Sequence, residues 1–314
     1  MTSSPALDVL TVGEPMVLFA ATQAGPLDQA SQFARSSAGA ELNVAIGLAR
    51  LGLRVGYISR LGHDSFGRAL RGVMAAEGID DSRVLTSAAH PTGFMLKSRS
   101  DDGSDPQIEY HRKGSAASTL AAGDLPDGIC QGVRHLHLTG IFVGVSASTR
   151  ELVFKLAQQA REAGCTVSFD PNLRPSLWPS QAEMVDTLNR LSALADWVLP
   201  GVEEGALLTA AQGPEAIANA YLARGAKAVV VKLGAQGAWY ASVTERGLAP
   251  GVPVPRVVDT VGAGDGFAVG VISGLLEGLS LAQASARGNA IGARVVQYPG
   301  DSDGLPTRAL LAAS

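Results

Sequence analysis

Asp259-Thr-Val-Gly-Ala-Gly-Asp-Gly-Phe267 is the stretch on which the reading of this chain turns. Before it lies Val252-Pro-Val-Pro-Arg-Val-Val258, rich in β-formers and Pro. After it, Ala268-Val-Gly-Val-Ile-Ser-Gly-Leu-Leu276 repeats apolar residues at helical spacing. Gly262, Ala263 and Gly264 therefore fall where an extended segment is expected to turn into a helix. Backbone N–H groups left free at a helix start attract anions, and glycines let a phosphate approach closely. Asp265 falls in the first helical turn beside those donors, where its charge would repel a phosphate. Two explanations fit. Asp265 is a general base that takes a proton from a hydroxyl attacking a phosphoryl group, or it is an N-cap, a position Asp favours. On local sequence alone the cap is the simpler reading.

The chain has 314 residues, 46% of them hydrophobic and 17% charged, which is enough to build one large α/β domain, alone or with a small appendage. A net charge of −4 leaves no basic excess to neutralise a phosphate backbone, so no nucleic-acid partner is expected. Cys130 and Cys165 form no Cys-x-x-Cys pair and read as reduced core thiols, not as disulfide or zinc ligands. The first residues lack a charged region followed by an apolar stretch, and no apolar run approaches a membrane span. A cytoplasmic enzyme with no membrane partner is the expectation.

Along the chain, Asp8-Val-Leu-Thr-Val-Gly13 reads as a buried first strand, followed by short β-like pieces near 17–19. Residues 44–51 form an amphipathic helix whose start carries Glu41 and Asn43, polar groups placed to face a ligand or simply to begin the helix. A strand at 55–59 and a helix to about 77 follow. Phe94-Met-Leu-Lys-Ser-Arg99 and Gln107-Ile-Glu-Tyr-His-Arg112 flank an Asp101-Asp-Gly-Ser turn and predict a hairpin, which with the pieces after Gly13 makes a small separate sheet. Strands at 135–139, 166–170, 197–200 and 228–232 then alternate with helices, two of them opened by the capping boxes Ser148-x-x-Glu151 and Ser180-x-x-Glu183. This alternation predicts a mostly parallel sheet with helices on both faces, and ligands beyond the carboxyl ends of its strands. Asp170-Pro-Asn-Leu-Arg174, Lys232-Leu-Gly-Ala-Gln-Gly237 and the 262–265 turn all fall at such ends.

Other chemistries are poorly supported. No Gly-x-x-x-x-Gly-Lys-Ser/Thr loop and no Gly-x-Ser-x-Gly elbow occurs. His135 and His137 face the same way on one strand, but no third metal ligand is evident and they read as structural. Asp170 and Arg174 either pair with each other, or Arg174 grips an anionic substrate in its guanidinium fork. The sequence leaves both open.

The 259–267 stretch resembles the C-terminal signature of the ribokinase-like (PfkB) sugar kinase family. Gly39-Ala-Glu-Leu-Asn-Val-Ala45, Leu51-Gly and Arg60-Leu-Gly-His-Asp-Ser-Phe-Gly67 resemble its N-terminal signature, in the correct order and over essentially the whole chain. The resemblance implies a single kinase domain over 1–314 with a ribokinase-like fold: a central, mostly parallel sheet flanked by helices. Residues from about 14–37 and 91–115 would form a small β-sheet lid, a surface that often pairs subunits into a homo-oligomer. It turns the choice at Asp265 to the catalytic base, with Gly262, Ala263 and Gly264 as the hole for the transferring phosphoryl.

Further stretches resemble one branch of that family, the 2-keto-3-deoxygluconate kinases: Gly13-Glu-Pro, Tyr110-His-Arg-Lys-Gly-Ser115, His137-Leu-Thr-Gly140, Asp170-Pro-Asn-Leu-Arg174, Pro299-Gly-Asp301 and Gly304-Leu-Pro306. That branch implies ATP-dependent phosphorylation of the terminal hydroxyl of a sugar acid. Gly39, Asn43, Tyr110, Arg112, Arg174 and Asp301 would approach the sugar acid, and Lys232, Gly234, Gly237, Gly262 and Gly264 the nucleotide. The implied cofactors are ATP and Mg²⁺, extending to a monovalent cation such as K⁺, with Glu204 acting indirectly on the metal. The chain departs from the pattern at His111, where an aromatic is expected, at Met95, where some members have tyrosine, and at Gly201, where the Asn of an Asn-x-x-Glu motif would stand. Fructokinase, ribokinase, 5-dehydro-2-deoxygluconate kinase and a non-catalytic ligand binder are the alternatives.

Overall fold

Nine strands line up with their buried Val, Ile and Leu residues between two layers of helix. The computed structural model describes residues 7–99 and 106–312. In chain order the strands are β1 (Val9–Val12), β2 (Met16–Ala24), β3 (Phe33–Ala38), β4 (Val55–Gly62), β5 (Asp80–Ser87), β6 (Phe94–Arg99), β7 (Ile108–His111), β8 (His135–Thr139), β9 (Thr166–Asp170), β10 (Trp197–Val198), β11 (Ala228–Lys232), β12 (Gly237–Ser242) and β13 (Arg246–Pro250). The large sheet runs β13-β12-β11-β10-β9-β8-β1-β4-β5 and is parallel from β11 to β5. Its far edge is closed by β12 and β13, antiparallel neighbours that the sequence reading did not foresee.

The helices are α1 (Ala40–Arg50), α2 (Ser65–Ala76), α3 (Gly140–Val145), α4 (Ala147–Glu162), α5 (Gln181–Ser192), α6 (Val202–Thr209), α7 (Pro214–Ala223), α8 (Ala263–Leu276), α9 (Leu281–Val295) and α10 (Arg308–Ala312). Side chains of α3 to α7 fill one core with one face of the sheet, around Leu136, Val167 and Val229. Those of α1, α2, α8 and α9 fill the other, around Val9, Val55 and Val230. Both faces of the parallel strands are thus covered, which is why a central strand such as Ala228-Val-Val-Val231 reads as a continuous apolar run. Cys130 and Cys165 are free thiols buried in the first core. Among the described residues no helix is long and apolar enough to cross a membrane.

Both predicted capping boxes change. The α4 cap is Ser146, whose hydroxyl accepts the Thr149 N–H while Thr149 reaches back to the Ser146 N–H. Ser148 and Glu151 lie inside the helix instead. Ser180 does cap α5, but Glu183 turns away from it to pair with Arg150 at 2.6 Å. Residues 251–262 form no strand, because Pro253 and Pro255 remove two ladder donors.

The small sheet runs β3-β2-β6-β7, with β2 and β6 parallel and the outer pairs antiparallel. Its inner face carries Met16, Leu18, Ala38 and Met95 in an apolar cluster with Ala20 and Ile108. The tip predicted at 101–104 lies outside the described residues.

Candidate active site

Chemistry-bearing side chains gather beyond the carboxyl ends of the parallel strands, where open α/β sheets bind ligands. β9 ends in Asp170 and β11 in Lys232, and the Lys232 Nζ donates to both Asp170 oxygens at 2.9 and 2.7 Å. Burial pushes the Asp170 carboxyl upward, opposed by the Lys232 charge. Asp170 therefore pairs with Lys232 and not with Arg174. The exposed Arg174 donates from Nη1 to the Leu173 carbonyl at 2.8 Å and has no carboxylate partner among the described residues.

The start of α8 is set by Gly262. Its φ of +82° suits glycine, and a Cβ there would stand 2.3 Å from the Asp301 carbonyl oxygen. Gly262, not Asp265, is the N-cap. Asp265 instead accepts a hydrogen bond from Asn43 Nδ2 at 2.8 Å, joining the first turns of α1 and α8 across 222 positions of sequence. Burial pushes its carboxyl up to about 8. Asn43 opposes the shift, and the charges of Asp170, Asp301 and Glu41 add to it. The Ala263 N–H reaches Thr260 and that of Gly266 reaches Gly262, while those of Gly264 and Asp265 meet no acceptor among the described residues. The Lys232 Nζ lies 3.7 Å from where a Cβ on Gly264 would stand. A free pair of amides, a cation and a buried carboxylate thus share one corner, the parts that phosphoryl transfer to a hydroxyl needs.

A cavity of about 920 Å³ opens from that corner. Of the residues predicted for the site, Gly39, Asn43, Tyr110, Arg112, Arg174, Lys232, Gly262, Gly264, Asp265 and Asp301 line it. Ala263, Gly234, Gly237 and Glu204 do not. Gly39 caps α1 at φ +131°, with the Glu14 carbonyl 2.8 Å from a Cβ built there.

Arg112 is not free: its Nε and Nη2 donate to one oxygen of the buried Glu14 at 2.7 and 2.6 Å. Ser115 donates to the other Glu14 oxygen. Glu14 lies in the Gly13-Glu-Pro motif, but nothing local announces a partner 98 residues away. Glu41 is also buried, bonded by the Thr139 hydroxyl, and burial pushes its carboxyl up. Lys97 on β6, which the sequence reading passed over, donates to Asp259 and lies 3.4 Å from Asp301.

Glu204 accepts the Leu173 and Gly201 N–H groups, each at 2.7 Å, so both its oxygens are committed to the backbone. Of the other departures, Met95 is buried in the cavity wall, and His111 stacks flat on Phe94 at 4.5 Å. His135 and His137 are buried and share the Ser168 hydroxyl, with burial holding His137 down at about 3. Among the described residues no cluster of three His, Cys, Asp or Glu could cage a metal.

Residues 6–308 match the family model of the pfkB family carbohydrate kinases. The chain belongs to this family. It is a carbohydrate kinase with the ribokinase-like fold. The 2-dehydro-3-deoxygluconokinase of Bacillus subtilis (strain 168) is 53% identical over 307 residues, 98% of this chain and 94% of the relative. A crystal structure of a PfkB protein from Polaromonas sp. JS666, also 53% identical, has a TM-score of 0.91 and covers 98% of this chain and 100% of its own. An E. coli structure in complex with ATP and Mg²⁺ is 29% identical, with a TM-score of 0.90 over 98% of each chain.

Proposed function

We propose that this carbohydrate kinase transfers the γ-phosphoryl group of ATP to the terminal hydroxyl of 2-keto-3-deoxygluconate, giving the 6-phosphate. One observation carries the choice of a sugar acid: Arg174 stands in the cavity wall and, among the described residues, has no carboxylate to neutralise it. A guanidinium in a closing pocket calls for an anionic ligand group. Arg112 is already balanced by Glu14, so it presents its remaining N–H edge without adding net charge. The Bacillus subtilis relative, named for this sugar acid, supports the same reading.

In this reading Asn43 holds one Asp265 oxygen and leaves the other to take the hydroxyl proton. The hydroxyl oxygen forms its bond to phosphorus as the bridging P–O bond to ADP breaks. The Gly264 and Asp265 amides meet the charge on the transferring group, and Lys232, tethered by Asp170, stands beside it. When bound, Mg²⁺ on the nucleotide phosphates neutralises part of that charge. Gly234 and Gly237 belong to the turn after Lys232 on the nucleotide side, and Glu204 acts only by holding the backbone of Gly201 and Leu173. The four-stranded sheet serves as a lid that excludes water and as a pairing surface between subunits of a cytoplasmic homo-oligomer.

An ADP-release assay over 2-keto-3-deoxygluconate, fructose and ribose tests the substrate. The sugar acid should give the highest kcat/KM. A preference for fructose would replace the sugar-acid reading with a fructokinase.

A further inference from the structure

Lys97 is a charged residue on an inner strand of the small sheet, paired in register between Ala20 of β2 and Ile108 of β7. Its side chain is only 5% exposed, and its ammonium lies between Asp259 and Asp301, themselves 10% and 5% exposed. Both carboxylates frame the turn that begins α8. Asp259 Oδ1 accepts the Val261 N–H at 3.0 Å, and the Asp301 carbonyl packs directly on Gly262. The same segment is anchored to the end of α9, with the Val258 and Asp259 N–H groups donating to the Val296 carbonyl at 2.7 and 3.2 Å. One ammonium therefore ties the small sheet to the turn whose amides face the transferring phosphoryl.

Stability alone gives little reason for this arrangement. Burying three charged groups costs desolvation that the ion pairs barely return, and apolar side chains of similar size generally do as well or better. What a buried charge supplies is a geometry that is strongly penalised when it is broken. We propose that Lys97 is a positioning residue that couples the small sheet to the phosphoryl-binding turn, so that seating the sugar under the sheet aligns the nucleotide site. The proposal rests on the kinase reading above, in which the sugar lies beneath the small sheet and the phosphates lie at the 262–265 turn. It assigns Asp301 to the Lys97 tie, as well as to any contact with sugar.

Coupling between two sites is measured as the factor by which one ligand tightens the other, and that factor is reciprocal. Calorimetric titration of the Mg²⁺ complex of a non-hydrolysable ATP analogue, with and without 2-keto-3-deoxygluconate, should show sugar tightening the analogue by about fivefold or more in the wild type, within the usual range of such couplings. In Lys97→Met the factor should fall to about one, while each ligand alone keeps its affinity within about threefold. Lys97→Arg should restore most of it. Asp259→Asn keeps an oxygen for the Val261 N–H but removes one of the two ion pairs, and should lose most of the coupling, which covers the case of a Lys97→Met protein that does not fold. A residue with a merely structural role would lower both affinities and leave their ratio unchanged. A wild type without coupling, or full coupling in Asp259→Asn or Lys97→Met, would overturn the proposal. If the assay panel selects another sugar, the substrate reading fails, and the coupling test is run unchanged with that sugar.

Discussion

Asp265→Asn removes one ionisable group from the start of α8 and keeps the shape of the site, because the amide oxygen can still accept the 2.8 Å hydrogen bond from Asn43. An amide cannot take the hydroxyl proton, so kcat should fall by ~10²–10⁴, the usual contribution of a general base, with sugar affinity nearly unchanged. The same substitution should stabilise the protein. Burial pushes the Asp265 carboxyl from 3.8 to about 8, so between those values the folded chain holds a proton that the unfolded chain releases. Stability is therefore fully present below about pH 4 and is lost as the pH rises through about 8. At about 1.4 kcal/mol per pH unit, the window of about four units sets a ceiling of roughly 6 kcal/mol. Relaxation of the ionised carboxylate towards the open cavity lowers this, and a gain of roughly 1–3 kcal/mol for the Asn variant at pH 8 is expected. At pH 4 the gain should vanish. Urea denaturation of both proteins at the two pH values, beside ADP-release rates, reads both effects. Near-native turnover would refute Asp265 as the base, and an equal stability difference at both pH values would refute burial as the source of its shift.

Gly264→Val should fold, since a Cβ there meets nothing nearer than the Lys232 Nζ at 3.7 Å. Its branches crowd the anion corner, so kcat should drop at least ~10-fold with little change in sugar KM. Arg174→Ala should lose about 10–100-fold in kcat/KM on the sugar acid, the loss of about 1.5–3 kcal/mol expected for one charge-assisted contact, while activity on fructose barely moves. Equal losses on both sugars would show that Arg174 does not bind a carboxylate. Glu14→Ala leaves Arg112 buried without its partner and should cost about 3–5 kcal/mol in chemical denaturation. Adding Arg112→Met should recover much of that loss, and no recovery would mean that the pair is not the source of the cost.

Much of the architecture was legible because parallel strands covered on both faces are largely apolar, as Ala228-Val-Val-Val231 is before Lys232 closes the strand. Edge strands escaped for the converse reason. β13, Arg246-Gly-Leu-Ala-Pro250, is largely exposed and carries no such signal. Caps were misread where Ser146 and Ser148 offer the same local chemistry and only the path of the chain selects one. Of the candidate site, the Gly-Ala-Gly-Asp stretch, Asn43 and Arg174 stand out in the sequence as glycines and polar groups at a helix start or a strand end; the roles expected of Asn43 and Arg174 came from the family resemblance, and the structure lines one cavity with Gly262, Gly264, Asp265, Asn43 and Arg174.

By itself, then, the sequence determined the layered α/β architecture, the glycine turn into α8 and the family signatures that mark Asp265. The tertiary structure alone decided the ionic partners: Asp170 with Lys232, Arg112 with Glu14, and Lys97 with Asp259 and Asp301. These pairs join positions 62 to 204 residues apart. A charge carries no record of its partner in the residues beside it, and only burial, which makes an unpaired charge costly, selects the carboxylates within reach.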